Sequence, residues 1–195
     1  SKYHRWKRNN PEKHKEIIKK KVAYIREKRL SNPERYKEEN KRQYQQRRNK
    51  NTAMHTIQHI FSAMANDLFE AETVGNQIGE EQTRIDLLFP DRDKFMTSDL
   101  EESVNSVIKS RKNVNIHKWD RESILSHDQM RHTKFMDRIP RTVTELRVVE
   151  IEDIDLCPCA GTHVDNTSKL SEMEITNVKS KGSGKLRITY QLKNG

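Results

Sequence analysis

The sequence is short of cysteine and of apolar side chains. Its 195 residues include only two cysteines, Cys157 and Cys159, which one residue separates, so the chain offers no disulfide framework. A reducing compartment inside the cell is therefore expected, in the cytoplasm or the mitochondrion. Hydrophobic residues make up 32% of the chain, and none of their runs approaches the length of a membrane span. We accordingly expect no membrane partner.

Negative charge is scarce at the start of the chain. Residues 1–50 hold 19 lysines and arginines against six glutamates, whereas residues 51–195 hold 19 basic and 23 acidic residues. We therefore divide the chain into a basic arm, residues 1–50, and a body, residues 51–195. Such an asymmetry predicts that the arm meets a polyanion while the body has a separate task.

The arm contains two copies of a 22-residue unit. The sequence Asn-Pro-Glu-Lys at 10–13 recurs as Asn-Pro-Glu-Arg at 32–35. An asparagine followed by proline and glutamate is typical of the first turn of a helix, so each copy predicts a helix start. No continuous apolar stripe follows either start, and helices of this kind are expected to bury little of their surface.

The cations of the arm are candidate RNA contacts. Lysine and arginine neutralise phosphates and release counterions, while Trp6 and the tyrosines can stack on exposed bases. The alternative is a solvated, partly disordered extension. The arm by itself does not decide between tRNA and ribosomal RNA. The residues that we expect to contact RNA are Lys2, Arg5, Lys7, Arg8, Lys19, Lys20, Lys21, Arg26, Arg29, Arg42, Arg47 and Arg48.

The body mixes helical and strand patterns. A buried stripe predicts a helix over 53–71, and a further helix is expected after a cap at Thr97 or Ser98. The glycines at 75 and 79 predict a turn. The fold class is therefore α+β, with helices packed on a largely antiparallel sheet and preceded by the basic helical arm. Strands are expected at 83–89, 114–118, 145–151, 171–178 and 185–191, a short helix at 120–127, a loop ending at Pro140 and a hairpin turn at 182–184.

Two short motifs, far apart in the sequence, supply metal-type ligands. His55 and His59 are four residues apart on the predicted helix and therefore share one face. Cys159 and His163 flank a glycine in a predicted loop. Three imidazoles and one thiolate are the number and the kind of donors that tetrahedral zinc takes. Cys157 stays open as a further candidate ligand, although Pro158 makes ligation by both cysteines awkward.

The sequence around these ligands resembles one family. The motifs His-Thr-Ile-Gln-His at 55–59 and Cys-Ala-Gly-Thr-His-Val at 159–164 resemble those of the editing domain of alanyl-tRNA synthetase and of its free-standing AlaX relatives. These proteins belong to the threonyl/alanyl-tRNA synthetase second additional domain family. The segments 77–79, 83–86 and 184–188 fit the same pattern, so the resemblance covers residues 51–195.

That resemblance implies a zinc-dependent hydrolase that deacylates mischarged seryl- or glycyl-tRNA for alanine. It implies that Zn²⁺ is held by His55, His59, Cys159 and His163. Thr162 and Gln77 are the expected catalytic groups, which would orient the serine side chain or the ribose. Gln58 is larger than the small hydroxyl residue often found at its position, and this difference bears on the choice of substrate.

A second hypothesis stays open because the basic arm is not part of the usual short free-standing form. The chain would then be an RNA-bound structural component of a large ribonucleoprotein, such as a mitochondrial ribosome, built on an editing-domain fold. Zinc would in that case serve folding alone. No DNA partner is expected, because the helix that carries His55 and His59 is poor in lysine and arginine.

Overall fold

The computed structural model describes residues 2–132, 136–137 and 139–193. It divides the chain into two compact units, Ser1–Arg47 and Arg48–Gly195. The predicted loop that ends at Pro140 lies partly outside the described residues. Within the described ranges, none of the helices combines the length and the apolar character that a membrane span requires.

The first unit is helical. It contains α1 (Lys2–Asn9), α2 (Pro11–Ser31) and the first part of α3 (Pro33–Phe69). Both predicted helix starts are confirmed, since α2 and α3 begin at the two prolines of the repeat. Asn32 Oδ1 accepts a hydrogen bond from the backbone N–H of Arg35 at 3.0 Å and so caps α3. None of the residues of α1 and α2 is buried, as the missing apolar stripe predicts.

Helix α3 is longer than the predicted helix over 53–71. Residues 34–52 contain no glycine or proline and are rich in good helix formers, so nothing interrupts the helix between Pro33 and the apolar stripe. The helix ends two residues earlier than predicted. Glu70, which adopts a positive φ of 54°, follows its last residue.

The second unit contains two further helices, α4 (Thr97–Lys109) and α5 (Arg121–Ser126), and seven strands. The strands are β1 (Glu72–Gln77), β2 (Thr83–Leu88), β3 (Val114–Asp120), β4 (Glu145–Ile151), β5 (Asp155–Pro158), β6 (Met173–Ser180) and β7 (Lys185–Leu192). They form a four-stranded sheet of order β1-β2-β7-β6 and a three-stranded sheet of order β3-β4-β5, and all pairings are antiparallel. The α+β class is confirmed, with two sheets in place of one.

Two local predictions need correction. The glycines at 75 and 79 had indicated a turn, but Gly75 lies within β1, where the β1–β2 register shifts, and only Gly79 lies in the connection from β1 to β2. Met96 occupies the position before α4, and no side chain caps that helix, so a cap at Thr97 or Ser98 is wrong. Strand β5 was not predicted. The hairpin turn at 182–184 is confirmed and joins β6 to β7.

Tyr190 shows how α3 is held on the four-stranded sheet. Its side chain on β7 is fully buried, and its hydroxyl donates a hydrogen bond to the carbonyl of Met54 at 2.8 Å. Its ring stacks on Phe61 of α3, with ring centroids 5.3 Å apart. The apolar stripe of α3 therefore faces this sheet. The other face of α3, which carries His55 and His59, meets the segment that follows β4.

Candidate metal centre

The four predicted ligands meet at one point. One donor atom from each of His55, His59, Cys159 and His163 lies within 4.8 Å of all the others. Cys159 Sγ is 3.5 Å from His55 Nε2 and 3.4 Å from His163 Nε2. In a tetrahedral zinc shell with bonds of 2.0 to 2.3 Å, neighbouring donors are about 3.3 to 3.7 Å apart. The donor set and its spacing thus suit one zinc-sized ion.

Gly161 and Arg147 shape the loop that brings Cys159 to the helix. A Cβ atom at residue 161 would overlap the imidazole of His55, so only glycine fits there. Arg147 Nη1, on β4, donates hydrogen bonds to the carbonyls of Cys159 and Gly161, each at 2.7 Å. The backbone N–H of Cys159 in turn donates to the carbonyl of Arg147 at 3.0 Å. These bonds fix the loop on β4.

Thr56 determines which ring nitrogen of His163 carries the proton. The buried Thr56 hydroxyl donates to the carbonyl of Thr52 at 3.0 Å and accepts a bond from the N–H of Val164 at 3.1 Å. Its only proton is then used, so His163 Nδ1, 3.3 Å away, must be the donor in their contact. The proton therefore lies on Nδ1, and Nε2 presents a lone pair towards the other ligands.

Asp155 orients His59 in a similar way. His59 Nδ1 and Asp155 Oδ2 are 2.8 Å apart, and both side chains are buried. Burial disfavours a charged His59, but its contacts with buried neighbours, the Asp155 carboxylate among them, outweigh that effect and raise the pKa of His59 above its usual value. The carboxylate holds Nδ1 and leaves Nε2 for an ion, an arrangement common for metal-bound histidines.

The two cysteines differ in their protonation. Burial would raise the pKa of Cys159, but its contacts with the imidazoles of His163, His55 and His59 lower it to about 3, so this sulfur is a thiolate at neutral pH. Burial, helped by Asp155, raises the pKa of Cys157 to about 12, so that sulfur keeps its proton. His59, Asp155 and Cys157 form a second close group. Because a metal takes the thiolate, the set with Cys159 is the better ligand set.

Of the two expected catalytic groups, one lies beside the ligands. Thr162 is exposed, and its Oγ1 is 2.9 Å from Thr52 Oγ1 on α3. Gln77 is exposed at the end of β1, opposite Arg84. In the part of the chain that the structure describes, the Gln77 side chain makes no hydrogen bond to the four ligands. The twelve expected RNA contacts, which lie between Lys2 and Arg48, are all exposed.

Sequence reasoning missed the residues that support the ligands: Thr56, Arg147 and Asp155. Each is distant in sequence from the ligand that it holds, or acts through a backbone carbonyl, so no spacing indicates its role. The one available signal was a polar residue within a buried pattern, as with Thr56 between His55 and Ile57.

Residues 146–189, which include β4, β5 and the Cys159 loop, match the model of the threonyl and alanyl tRNA synthetase second additional domain. The match covers 44 of the 195 residues. The chain is also similar to the alanyl-tRNA editing protein AlaX-M of Methanosarcina barkeri, with which it is 30% identical over 148 residues that make up 75% of this chain and 60% of the relative. The AlaX-M protein of Saccharolobus solfataricus is 31% identical over 147 residues, 75% of this chain and 61% of the relative.

A bovine relative, the alanyl-tRNA editing protein Aarsd1 of Bos taurus, is 29% identical over 145 residues, which cover 74% of this chain and 32% of the relative. The chain thus spans about three fifths of the length of the AlaX-M proteins and a third of the bovine one. These matches confirm the family resemblance that the ligand motifs indicated.

Proposed function

We propose that residues 48–195 hydrolyse the ester of mischarged aminoacyl-tRNA, with seryl- and glycyl-tRNA for alanine as substrates, at a zinc ion held by His55, His59, Cys159 and His163. The observation that carries the proposal is the convergence of four donor atoms, within 4.8 Å of one another, from two segments far apart in the sequence. The names of the AlaX-M relatives, which are called alanyl-tRNA editing proteins, support an editing reaction on tRNA.

The chemistry of the donors suits the reaction. Zinc at this position would act as a Lewis acid towards the ester carbonyl or the attacking water. The protein orients the donor atoms. Asp155 and Thr56 form hydrogen bonds with Nδ1 of His59 and of His163, so that Nε2 of each ring faces the centre. Cys159 is a thiolate. An ion would have to displace the proton that the raised pKa of His59 favours on that ring, but none from the Cys159 thiolate.

A set of four protein ligands is typical of structural zinc, whereas catalytic sites keep a position open. Exposure favours catalysis here, because His55, Cys159 and His163 are only half-buried, and the exposed Thr162 lies between two ligands in sequence. This partial exposure supports access of a substrate to the centre.

Thr162 and Gln77 are proposed to orient the substrate. The Thr162 hydroxyl, which already meets Thr52, can exchange that bond for one to the serine hydroxyl or the ribose. Gln77 would contact the substrate itself, since its side chain makes no hydrogen bond to the four ligands in the part of the chain that the structure describes. Gln58 is buried and donates to Ser62 Oγ at 2.9 Å, so its larger side chain extends along α3. A pocket with polar groups that bind the serine hydroxyl would reject alanine, because alanine has no hydroxyl and would leave these groups without a hydrogen-bond partner.

The arm is proposed to bind the RNA. Its 19 exposed lysines and arginines supply the attraction that the acidic body lacks, and tRNA is the RNA on which the proposed reaction acts. The ribonucleoprotein alternative gains no support from the relatives, whose names refer to editing.

Deacylation of seryl-tRNA for alanine by the purified, zinc-loaded protein tests this function. We expect release of serine that His59→Ala and Cys159→Ala each abolish, while correctly charged alanyl-tRNA remains intact. His127→Ala is the matched control, because His127 is exposed and outside the ligand set. A folded, zinc-loaded sample without turnover would contradict catalysis and leave zinc a structural role.

A further inference from the structure

The internal repeat of the first unit gives it two equivalent helix junctions. Junction 1 joins α1 to α2 at residues 9–11, and junction 2 joins α2 to α3 at residues 31–33. In the repeat, residue 14, three residues after Pro11, corresponds to residue 36, three residues after Pro33. His14 and Tyr36 are half-buried at these positions, while nearly all other residues of 2–47 are exposed. The repeat therefore shelters one hydrogen-bonding ring at each junction.

Cations surround both sheltered rings. A recess at junction 1 is lined by Lys7, Lys15 and Lys19 together with His14. A recess at junction 2 is lined by Lys28, Arg35 and Arg42 together with Tyr36 and the carboxylates of Glu38 and Glu39. Lys15 and Lys28 are engaged with Glu12 and Glu39. In the described ranges, Lys7, Lys19, Arg35 and Arg42 form no ion pair, so each junction keeps two cations for an outside anion.

The spacing of the junctions is fixed by α2. This helix has 21 residues, which at 1.5 Å per residue give about 32 Å between the two junctions. That separation is close to one turn of a double helix. A single strand has no fixed spacing between distant phosphates, whereas a duplex presents them once every turn. The aromatic rings at junction 1 also argue against binding of a single strand. Tyr3, Trp6 and His14 contact one another and are therefore already engaged.

We propose that the two junctions grip the phosphate backbone of double-stranded RNA at two places one helical turn apart. The choice of RNA over DNA rests on the proposed function. The junctions act as two phosphate-binding positions, with Lys7 and Lys19 at one and Arg35 and Arg42 at the other. A stem of a folded RNA, such as the stacked stems of a tRNA, has the required length and shape.

Fluorescence anisotropy with the full chain tests this proposal without any aminoacylated substrate. The probes are a 16-base-pair RNA duplex, a six-base-pair RNA duplex, a single strand and a 16-base-pair DNA duplex, each titrated over a range of salt. We expect the long RNA duplex to bind about tenfold more tightly than the other three. Equal affinity for the short duplex or the single strand would overturn the one-turn spacing, and equal affinity for DNA would overturn the choice of RNA.

Two double variants and a control separate the junctions from general charge. Lys7→Ala/Lys19→Ala and Arg35→Ala/Arg42→Ala should each reduce the slope of log affinity against log salt by about two on the long duplex. Lys13→Ala/Lys41→Ala removes the same charge from residues that line neither recess, and it should leave the slope unchanged. A control that loses as much as the junction variants would show diffuse attraction and overturn the two positions.

The same variants keep this inference separate from the proposed function. Alanine favours helix, so these exposed changes should not unfold α1, α2 or α3. Duplex binding by a chain that fails to deacylate seryl-tRNA would uphold the junctions and reject the enzyme. Deacylation by a chain that shows no preference for the long duplex would uphold the enzyme and reject the two junctions.

Discussion

At the scale of single residues, hydrogen-bond capacity decides the state of the metal ligands. A threonine hydroxyl has one proton, and Thr56 gives it to the carbonyl of Thr52. The lone pairs that remain receive the N–H groups of Val164 and His163. A residue that no spacing rule singles out thus determines which nitrogen of His163 faces the other candidate ligands.

Replacement of Thr56 by valine tests that role. The shape of the side chain is kept, but the Nδ1 proton of His163 loses its acceptor and the ring can take the wrong tautomer. We expect zinc affinity to fall about 10- to 100-fold, measured by competition with a chelator. Thr52→Val is the control, because its hydroxyl meets Thr162 and no ligand. Equal zinc affinity in the Thr56 variant and the native chain would contradict the assignment.

The protonation of the two cysteines predicts unequal reactivity in the zinc-free protein. The pKa of Cys159 is about 3 and that of Cys157 about 12, so only Cys159 is a thiolate near neutral pH. Iodoacetamide should modify Cys159 first, at a rate that stays almost constant from pH 8 to pH 5, since its thiolate persists throughout. Peptide mass spectrometry measures the two sites separately.

Zinc should protect Cys159 from the reagent, while Cys157 serves as the internal reference. Faster labelling of Cys157, or a Cys159 rate that falls tenfold for each pH unit, would show that Cys159 is an ordinary thiol.

At the scale of elements, the predictions that succeeded depend on local chemistry. The two Asn-Pro-Glu segments mark helix starts because proline and asparagine fit the first turn wherever they occur. The stripe of α3 and the 182–184 turn are likewise local signals. The ligand motifs were visible for the same reason, since i and i+4 place two histidines on one helical face.

The elements that were missed lack such local signals. Strand β1 has mostly exposed residues and a glycine at an irregular register, so no apolar alternation marks it. Strand β5 has four residues and ends in a proline. It exists because β4 pairs with it, and this pairing brings Asp155 to His59. Contacts between distant segments, which propensity cannot express, therefore complete the centre.

The loop of residues 159–163 tolerates no side chain at its glycine. Gly161→Ala would drive a methyl group into the His55 imidazole, so the helix and the loop could no longer share an ion. We expect the variant to lose stoichiometric zinc and, with it, the thermal stabilisation that zinc gives, measured by calorimetry with and without added zinc. Gly75→Ala is the control, because its new Cβ would meet only ordinary contacts. Full zinc binding by the Gly161 variant would show that the loop is not packed against His55.

At the scale of the whole molecule, the basic charge and the candidate metal ligands lie in different parts of the sequence. The basic charge lies in the first 50 residues, and the ligands lie in the rest. Zinc would close a loop of about a hundred residues between α3 and the Cys159 segment, which raises the stability of the second unit only when the ion is bound. The composition indicated where the basic charge lies. The convergence of the four candidate ligands depends on contacts between distant segments, which only the tertiary fold shows.

X-ray absorption spectroscopy of the zinc-loaded full chain tests the shared centre most directly. We predict one zinc per chain with about three nitrogens at 2.0–2.1 Å and one sulfur at 2.3 Å. Cys159→Ala should remove the sulfur signal, whereas Cys157→Ala should leave it in place. A shell with two sulfurs, or a native chain that binds no zinc, would contradict the convergence of His55, His59, Cys159 and His163 on a single ion.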